Sequence, residues 1–156
     1  MKTIKGDLIE LFMKDDFDIM IHGANCFNAM GAGIAGQIAR KLPEARMADD
    51  DYVVRNNVQK LSNYSYAFIR KDNNKIGTVI NLYTQFYPGP DLDENALILG
   101  FKKLSRILDK GLRIGIPQIG CGIANGNWDV IGPRIAKIMI NHDITVVEYE
   151  KQKENV

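Results

Sequence analysis

The sequence predicts an α/β fold, a mainly parallel sheet covered by helices on both faces. Short β-branched or aromatic runs alternate with longer stretches of helical periodicity, the pattern of strand–helix–strand units. Most of the short runs read as central rather than edge strands, apolar on both sides as strands inside a covered sheet are. The 156 residues, 46% hydrophobic and 25% charged, match an ordinary globular chain, long enough to bury about 68 to 70% of its unfolded surface. The same figures exclude disorder and collagen-like or low-complexity behaviour.

In chain order, strands are expected at 3–5, 19–22, 65–70, 78–83, 112–117 and 145–149, most ending at turn residues. Helical patterns fill 33–41, 43–54, 93–110 and 129–141. The third closes on Lys110-Gly111, a basic last turn followed by a candidate C′ glycine. No internal repeat or Pro/Ser linker breaks the chain. A single domain over 1–156 is expected, with 150–156 as a frayed charged tail.

Lys+Arg 20 against Asp+Glu 19 leaves a net charge of +1, without the basic excess that a duplex-DNA binder sets against phosphates. Cys26 and Cys121 form no CxxC pair, and His22 and His142 are the only histidines, so no zinc-ligand pattern is recognisable. Neither a metal nor a cofactor is expected. The start, MKTIKGDLIELF, has no apolar signal core, and no apolar run approaches the roughly eighteen residues that mark a membrane helix. The expectation is a cytoplasmic protein with reduced thiols and no membrane association.

Two glycine loops concentrate the functional signal. In IMIHGANCFNAMGAGIAG a strand ends near His22, a polar stretch follows, and Gly31-Ala32-Gly33 opens a helix. A helix N-terminus offers unpaired N–H groups and the positive end of the macrodipole, and glycine lets a phosphate approach. The plainer reading is a turn with tight helix–sheet packing. After the strand LRIGIP comes a second such loop, QIGCGIANGNW. In open parallel sheets ligands bind beyond the carboxyl ends of strands, so two loops there suit one diphosphate between them. Gly31, Gly33 and Gly36 also satisfy G-x-G-x-x-G. The dinucleotide version needs its first glycine directly after the strand and an acid ending the next strand. Here a polar stretch intervenes, and Asp49, Asp50 and Asp51 fall in a helical pattern, which disfavours a dehydrogenase.

With both loops in view, the chain resembles the macro domains, an ADP-ribose-binding α/β family. The resemblance runs from Lys5-Gly6-Asp7-Leu8 through HGANCFNAMGAGIA, NLYTQF and IPQIGCGIANGNW to the last strand at 145–149. It is similar above all to a small branch holding the ADP-ribose 1''-phosphate phosphatases of yeast and bacteriophages and the terminal ADP-ribose glutamate hydrolases. The resemblance implies a three-layer α/β/α fold with a mixed, mostly parallel sheet. It further implies a small-molecule ligand, ADP-ribose or ADP-ribose 1''-phosphate, and a phosphoric monoester hydrolase acting as a monomer. Nucleic acid enters only as an ADP-ribosylated substrate. The alternatives are a non-catalytic ADP-ribose reader and a hydrolase releasing ADP-ribose from protein or nucleic acid.

Carried over by motif, the resemblance puts Asp7 on the adenine amino group, Leu8 against the ring and Tyr149 over its other face. Met30, Gly31, Ala32, Gly33 and Ile34 form the loop on the diphosphate and distal ribose. Pro117, Ile119, Gly120, Cys121, Gly122, Ile123 and Ala124 form the facing loop. Asn25 meets the distal ribose hydroxyls and, with His22, makes up the catalytic pair. Each has a plainer reading beside it: Asp7 as a turn or helix cap, Tyr149 as a core edge, His22 as a hydrogen-bonded core histidine. Cys121 is expected to be a small residue that leaves room for phosphates, with no histidine placed as its base. Tyr87-Pro88-Gly89-Pro90 reads as a rigid loop flanking the ligand or as a surface turn. Asp93 reads as the cap of the long helix or as a polar group near the distal ribose.

The glutamate hydrolases of this branch use a lysine soon after the fourth strand and an aspartate after the second GCG motif. This chain has Tyr83-Thr84-Gln85 and Ala124 at those places. A Schiff-base route is therefore disfavoured. Phosphate release, which needs positioning, N–H donors and a proton-transfer group, remains open.

Overall fold

The computed structural model describes residues 1–150; the tail expected at 151–156 lies outside the described residues. The elements are β1 (Lys2–Gly6), α1 (Leu8–Met13), β2 (Ile19–Asn25), α2 (Gly33–Lys41), α3 (Pro43–Asp51), β3 (Tyr64–Arg70), β4 (Ile76–Gln85), α4 (Glu94–Ile107), β5 (Arg113–Ile116), α5 (Trp128–Ile138) and β6 (Asp143–Tyr149). A 3₁₀ turn, Asn57–Lys60, precedes β3. The strands form one sheet in the order β1-β6-β5-β2-β4-β3. Every pairing is parallel except β3 with β4. The fold is thus α/β, with a mixed, mostly parallel sheet between two helical layers.

Alternate residues of each central strand feed two cores. Ile19 and Ile21 of β2 join Leu97, Phe101, Ile131 and Ile135 beneath α4 and α5. Met20 joins Phe12, Ile38 and Ala45 beneath α1, α2 and α3. Edge strand β3 is buried on one side only, its outward residues Tyr66 and Phe68 being exposed.

The strand order creates a switch point. From β2 the chain crosses through α2 and α3 toward β4 and β3, whereas from β5 it crosses through α5 toward β6. β2 and β5 pair over only Ile19↔Ile114 and Met20↔Gly115, then diverge. A crevice outside the carboxyl ends of the two strands follows from that topology.

Three local expectations are corrected. Helix α1 is absent from the helical patterns, although a helix cap is one reading of Asp7: six residues are too short to show periodicity, and the Asp7 carboxylate accepts from Glu10 N at 3.1 Å and caps it. Helix α3 stops at Asp51 rather than 54, because Tyr52 leaves helical geometry at ψ 88. Helix α4 ends at Ile107: Leu108 turns extended (ψ 136) and packs, with Leu112, against the core. Gly111 has no positive φ and is not a C′ cap.

Candidate functional site

A cleft of about 950 Å³ opens at the switch point. It is walled by the loop after β2, the first turn of α2, the loop after β5, and the ends of β1 and β6. Every residue placed on the ligand lines it except His22, and of the residues with two readings Tyr87, Pro90 and Asp93 do not line it.

At one end stand Asp7, Leu8 and Tyr149. β1 pairs β6 with Gly6 opposite Tyr149, which brings the chain's two ends of the binding motif side by side. Asp7 fills its plainer role as the α1 cap while still facing the cleft. Tyr149 is 65% exposed, a rim residue rather than a core edge. Gln118 donates to Glu148 at 3.1 Å nearby, both lining the wall.

The loop after β2 is organised by Asn25. Its Oδ1 accepts from Phe27 N (3.0 Å) and Ala29 N (3.3 Å), and its Nδ2 donates to Ala29 O (2.8 Å). One amide hydrogen remains for a ligand. The loop ends on Gly33, whose φ of 58° lies in the left-handed region that costs a residue with a Cβ. Like α3, and unlike α1, α4 and α5, α2 begins, at Ala32, without a side-chain cap. Its first-turn N–H groups therefore face the cleft without a protein side chain on them.

Opposite stands the loop after β5, closed on itself by Cys121 N donating to Gln118 O (3.1 Å) and Gly126 N to Gly120 O (2.7 Å). Gly120, at φ 76°, presses on Leu92: an added Cβ would sit 2.7 Å from Leu92 Cδ1. Gly122 borders open space. Ile123 reaches across until its Cδ1 lies 3.4 Å from the position of a Cβ on Gly33, so the two loops meet above the groove. Burial pushes the Cys121 thiol up, as it does Cys26 to about 11, so neither sulfur is the thiolate a nucleophile requires.

His22 is a correction. It is completely buried and does not line the cleft. The Asn81 amide is oriented by donating from Nδ2 to Ala45 O (2.9 Å) and Ser65 Oγ (3.0 Å). His22 Nε2–H therefore donates to Asn81 Oδ1 at 2.5 Å. Desolvation lowers the His22 pKa and keeps the ring neutral. Its side chain follows the β2 alternation into the α2/α3 layer, beside Met20 rather than into the crevice.

Further lining residues escaped the sequence, among them Gln85, Asp49, Thr84 and Gly23. Gln85 donates from Nε2 to Tyr87 O (2.7 Å) and Gly89 O (2.9 Å), which draws Pro88 and Gly89 to the cleft wall. Asp49 of α3 lines it too and accepts from Tyr83 Oη at 2.7 Å; burial raises its pKa. Thr84 and Gly23 complete the floor. Thr84, Gln85 and Gly23 lie inside the NLYTQF and HGANCFNAMGAGIA segments but carry no expected ligand role there, and Asp49 lies in no motif; the packing of α3 and β4 on β2 brings them to the cleft. Asp93 is the α4 cap, accepting from Ala96 N at 2.9 Å, and does not line the cleft.

Comparison with known proteins places this geometry. No protein-family model matches the chain. It is 35% identical over 153 residues to an uncharacterized 17.5 kDa protein of Enterobacteria phage T4, covering 96% of this chain and 97% of that one. The macrodomain of Thermus aquaticus DarG superposes with a TM-score of 0.73 at 20% identity, over 96% and 97% of the two chains. Thermosipho africanus DarTG, solved in complex with ADP-ribose, gives a TM-score of 0.73 at 15% identity, over 99% of this chain and 42% of that one. The switch-point cleft thus stands on a macrodomain fold, and the chain belongs to the same family as the T4 phage protein.

Proposed function

We propose that the cleft binds ADP-ribose, with adenine between Asp7, Leu8 and Tyr149 and the diphosphate beneath Ile123 between the two glycine loops. The observation that carries this is the uncapped N-terminus of α2, which faces the loop after β5 across the switch-point crevice. Unpaired N–H groups and the helix dipole favour an anion there. The ADP-ribose bound by the Thermosipho protein of the same fold supports the reading.

The activity we propose is removal of the terminal phosphate of ADP-ribose 1''-phosphate. Water bonds phosphorus as the bond to the C1'' oxygen breaks, a proton of that water passing to the departing ribose oxygen through cleft solvent. Loop N–H groups stabilise charge on the phosphoryl oxygens, and Asn25 holds the distal ribose. His22, buried behind β2, does not meet the ligand and serves the core by pairing with Asn81 Oδ1. Its burial also favours a second reading, a binder of ADP-ribose without turnover. Lysine-dependent release of ADP-ribose from protein or nucleic acid is disfavoured, because Tyr83-Thr84-Gln85 and Ala124 stand where that route uses its lysine and its aspartate.

Incubation with ADP-ribose 1''-phosphate and with ADP-ribosylated protein and DNA, measuring phosphate and ADP-ribose in parallel, decides among these. Phosphate release is expected. Binding without any release would replace the phosphatase by the binder, and release of ADP-ribose from a macromolecule would replace it by the third activity.

A further inference from the structure

We propose that Thr84 reads the distal end of the ligand, its hydroxyl hydrogen-bonding a ligand oxygen directly or through one bridging water. The inference rests on the reading of the cleft as an ADP-ribose site and extends it to a residue on a strand that the glycine motifs do not include.

Three observations converge on this side chain. Among the described residues that line the cleft, Thr84 Oγ1 is the buried side-chain polar atom with no hydrogen-bond partner in the protein. Thr84 also sits at an irregularity of the sheet. β4 pairs Tyr83 with Ala24 and then Gln85 with Asn25, so Thr84 is the extra residue of a bulge. Such bulges redirect a side chain and recur beside active sites. Finally, β2 makes room for the hydroxyl: a Cβ on Gly23 would lie 2.8 Å from Thr84 Oγ1. Any larger residue at 23 would push the threonine out of place.

Folding alone does not explain the hydroxyl. Valine has nearly the same shape and fills the space without a buried group left unpaired, which is costly. A threonine of the cleft floor whose buried oxygen has no partner in the protein is accounted for when a ligand supplies the match. The strand order says which end of the ligand this is. Asp7 and Tyr149 stand on β1 and β6, whereas Thr84 stands on β4, three strands along from β6, or about 14 Å at the usual spacing. The two glycine loops lie between. A ligand with adenine at Asp7 and its diphosphate between the loops therefore brings its distal ribose, or the phosphate on it, to Thr84.

The test is calorimetric titration of the full chain and of Thr84→Val and Thr84→Ser with ADP-ribose and with ADP, which lacks the distal ribose, alongside thermal unfolding without ligand. Thr84→Val is expected to weaken ADP-ribose by about tenfold, a single lost hydrogen bond, and to leave ADP unchanged. Its unliganded Tm should not fall below the parent's, because no hydrogen bond within the protein has been removed. Thr84→Ser should bind like the parent. Equal ADP-ribose affinity in the parent and Thr84→Val overturns the proposal and leaves the cleft assignment standing. So does a Thr84→Val chain that loses Tm and weakens ADP and ADP-ribose alike, which makes the hydroxyl structural. A parent that binds neither ligand overturns the cleft reading and this proposal together.

Discussion

Asp7 serves two functions with one carboxylate, and they can be separated. As the α1 cap it satisfies Glu10 N, a contact that asparagine reproduces and alanine does not. As the acceptor for an exocyclic amine, it loses its charge on conversion to asparagine. Asp7→Asn should keep parent-like stability and weaken ADP-ribose, whereas Asp7→Ala should lose about 1 kcal/mol of stability as well; denaturant unfolding beside titration calorimetry reads both. Parent-like affinity in Asp7→Asn would remove the adenine assignment. His22 behaves in the opposite way. Its removal strands Asn81 Oδ1 in the core, so His22→Ala should cost about 1 to 3 kcal/mol. ADP-ribose affinity of the folded variant should change little. A large loss of affinity at unchanged stability would return the imidazole to the cleft.

At the scale of elements, the two loops differ in what a substitution does. Gly33 lies at positive φ, so a side chain there strains the backbone as well as crowding the groove. Gly122 has nothing within 4 Å of an added Cβ. Gly122→Glu should therefore fold with the parent's Tm yet bind ADP-ribose at least tenfold more weakly, because its carboxylate enters the space assigned to the diphosphate. Undiminished affinity in that variant would place the phosphates elsewhere. The loop after β2 depends instead on the three hydrogen bonds of Asn25, which makes it a preformed wall.

Across the whole molecule, pH acts on two separate groups of carboxylates. At the end of the sheet away from the cleft, the Lys71 ammonium holds the Asp15 carboxyl far below its usual range, and the Arg113 guanidinium lowers Asp18. The folded state binds fewer protons there than the unfolded chain, so this stabilisation is present above about pH 4 and is lost as pH falls. Asp49, raised mainly by burial, has the opposite sign: its stabilisation is present below the ordinary carboxylate pKa and is lost as pH rises through the elevated folded value. Asp49→Asn should therefore gain on the parent as pH climbs from about 4 to 8, followed by urea unfolding across pH. A constant difference between the two chains over that range would show that Asp49 titrates normally.

The alternation of strands and helices, the glycine loops and the ends of β1 and β6 were legible along the chain because each depends on neighbours in sequence: periodicity, turn chemistry, a motif beside a strand end. Hence the α/β layers, the family likeness and most of the cleft wall could be read from residue order. His22 shows where that ends. Its place in a motif is a property of the chain, but the face of β2 on which it emerges, and Asn81 waiting there, depend on the register with β4. The same holds for Thr84, Gly23 and Asp49, which are far apart in sequence: Thr84 and Gly23 sit in motif segments that do not say which side chains share a cavity, and Asp49 sits in none. They come to one crevice because β2 and β5 part after two paired residues, β4 bulges at Thr84, and α3 packs against β4. Local interactions choose the elements, whereas which side chains share a cavity is decided by strand register and helix packing, which exist only once distant segments have come together.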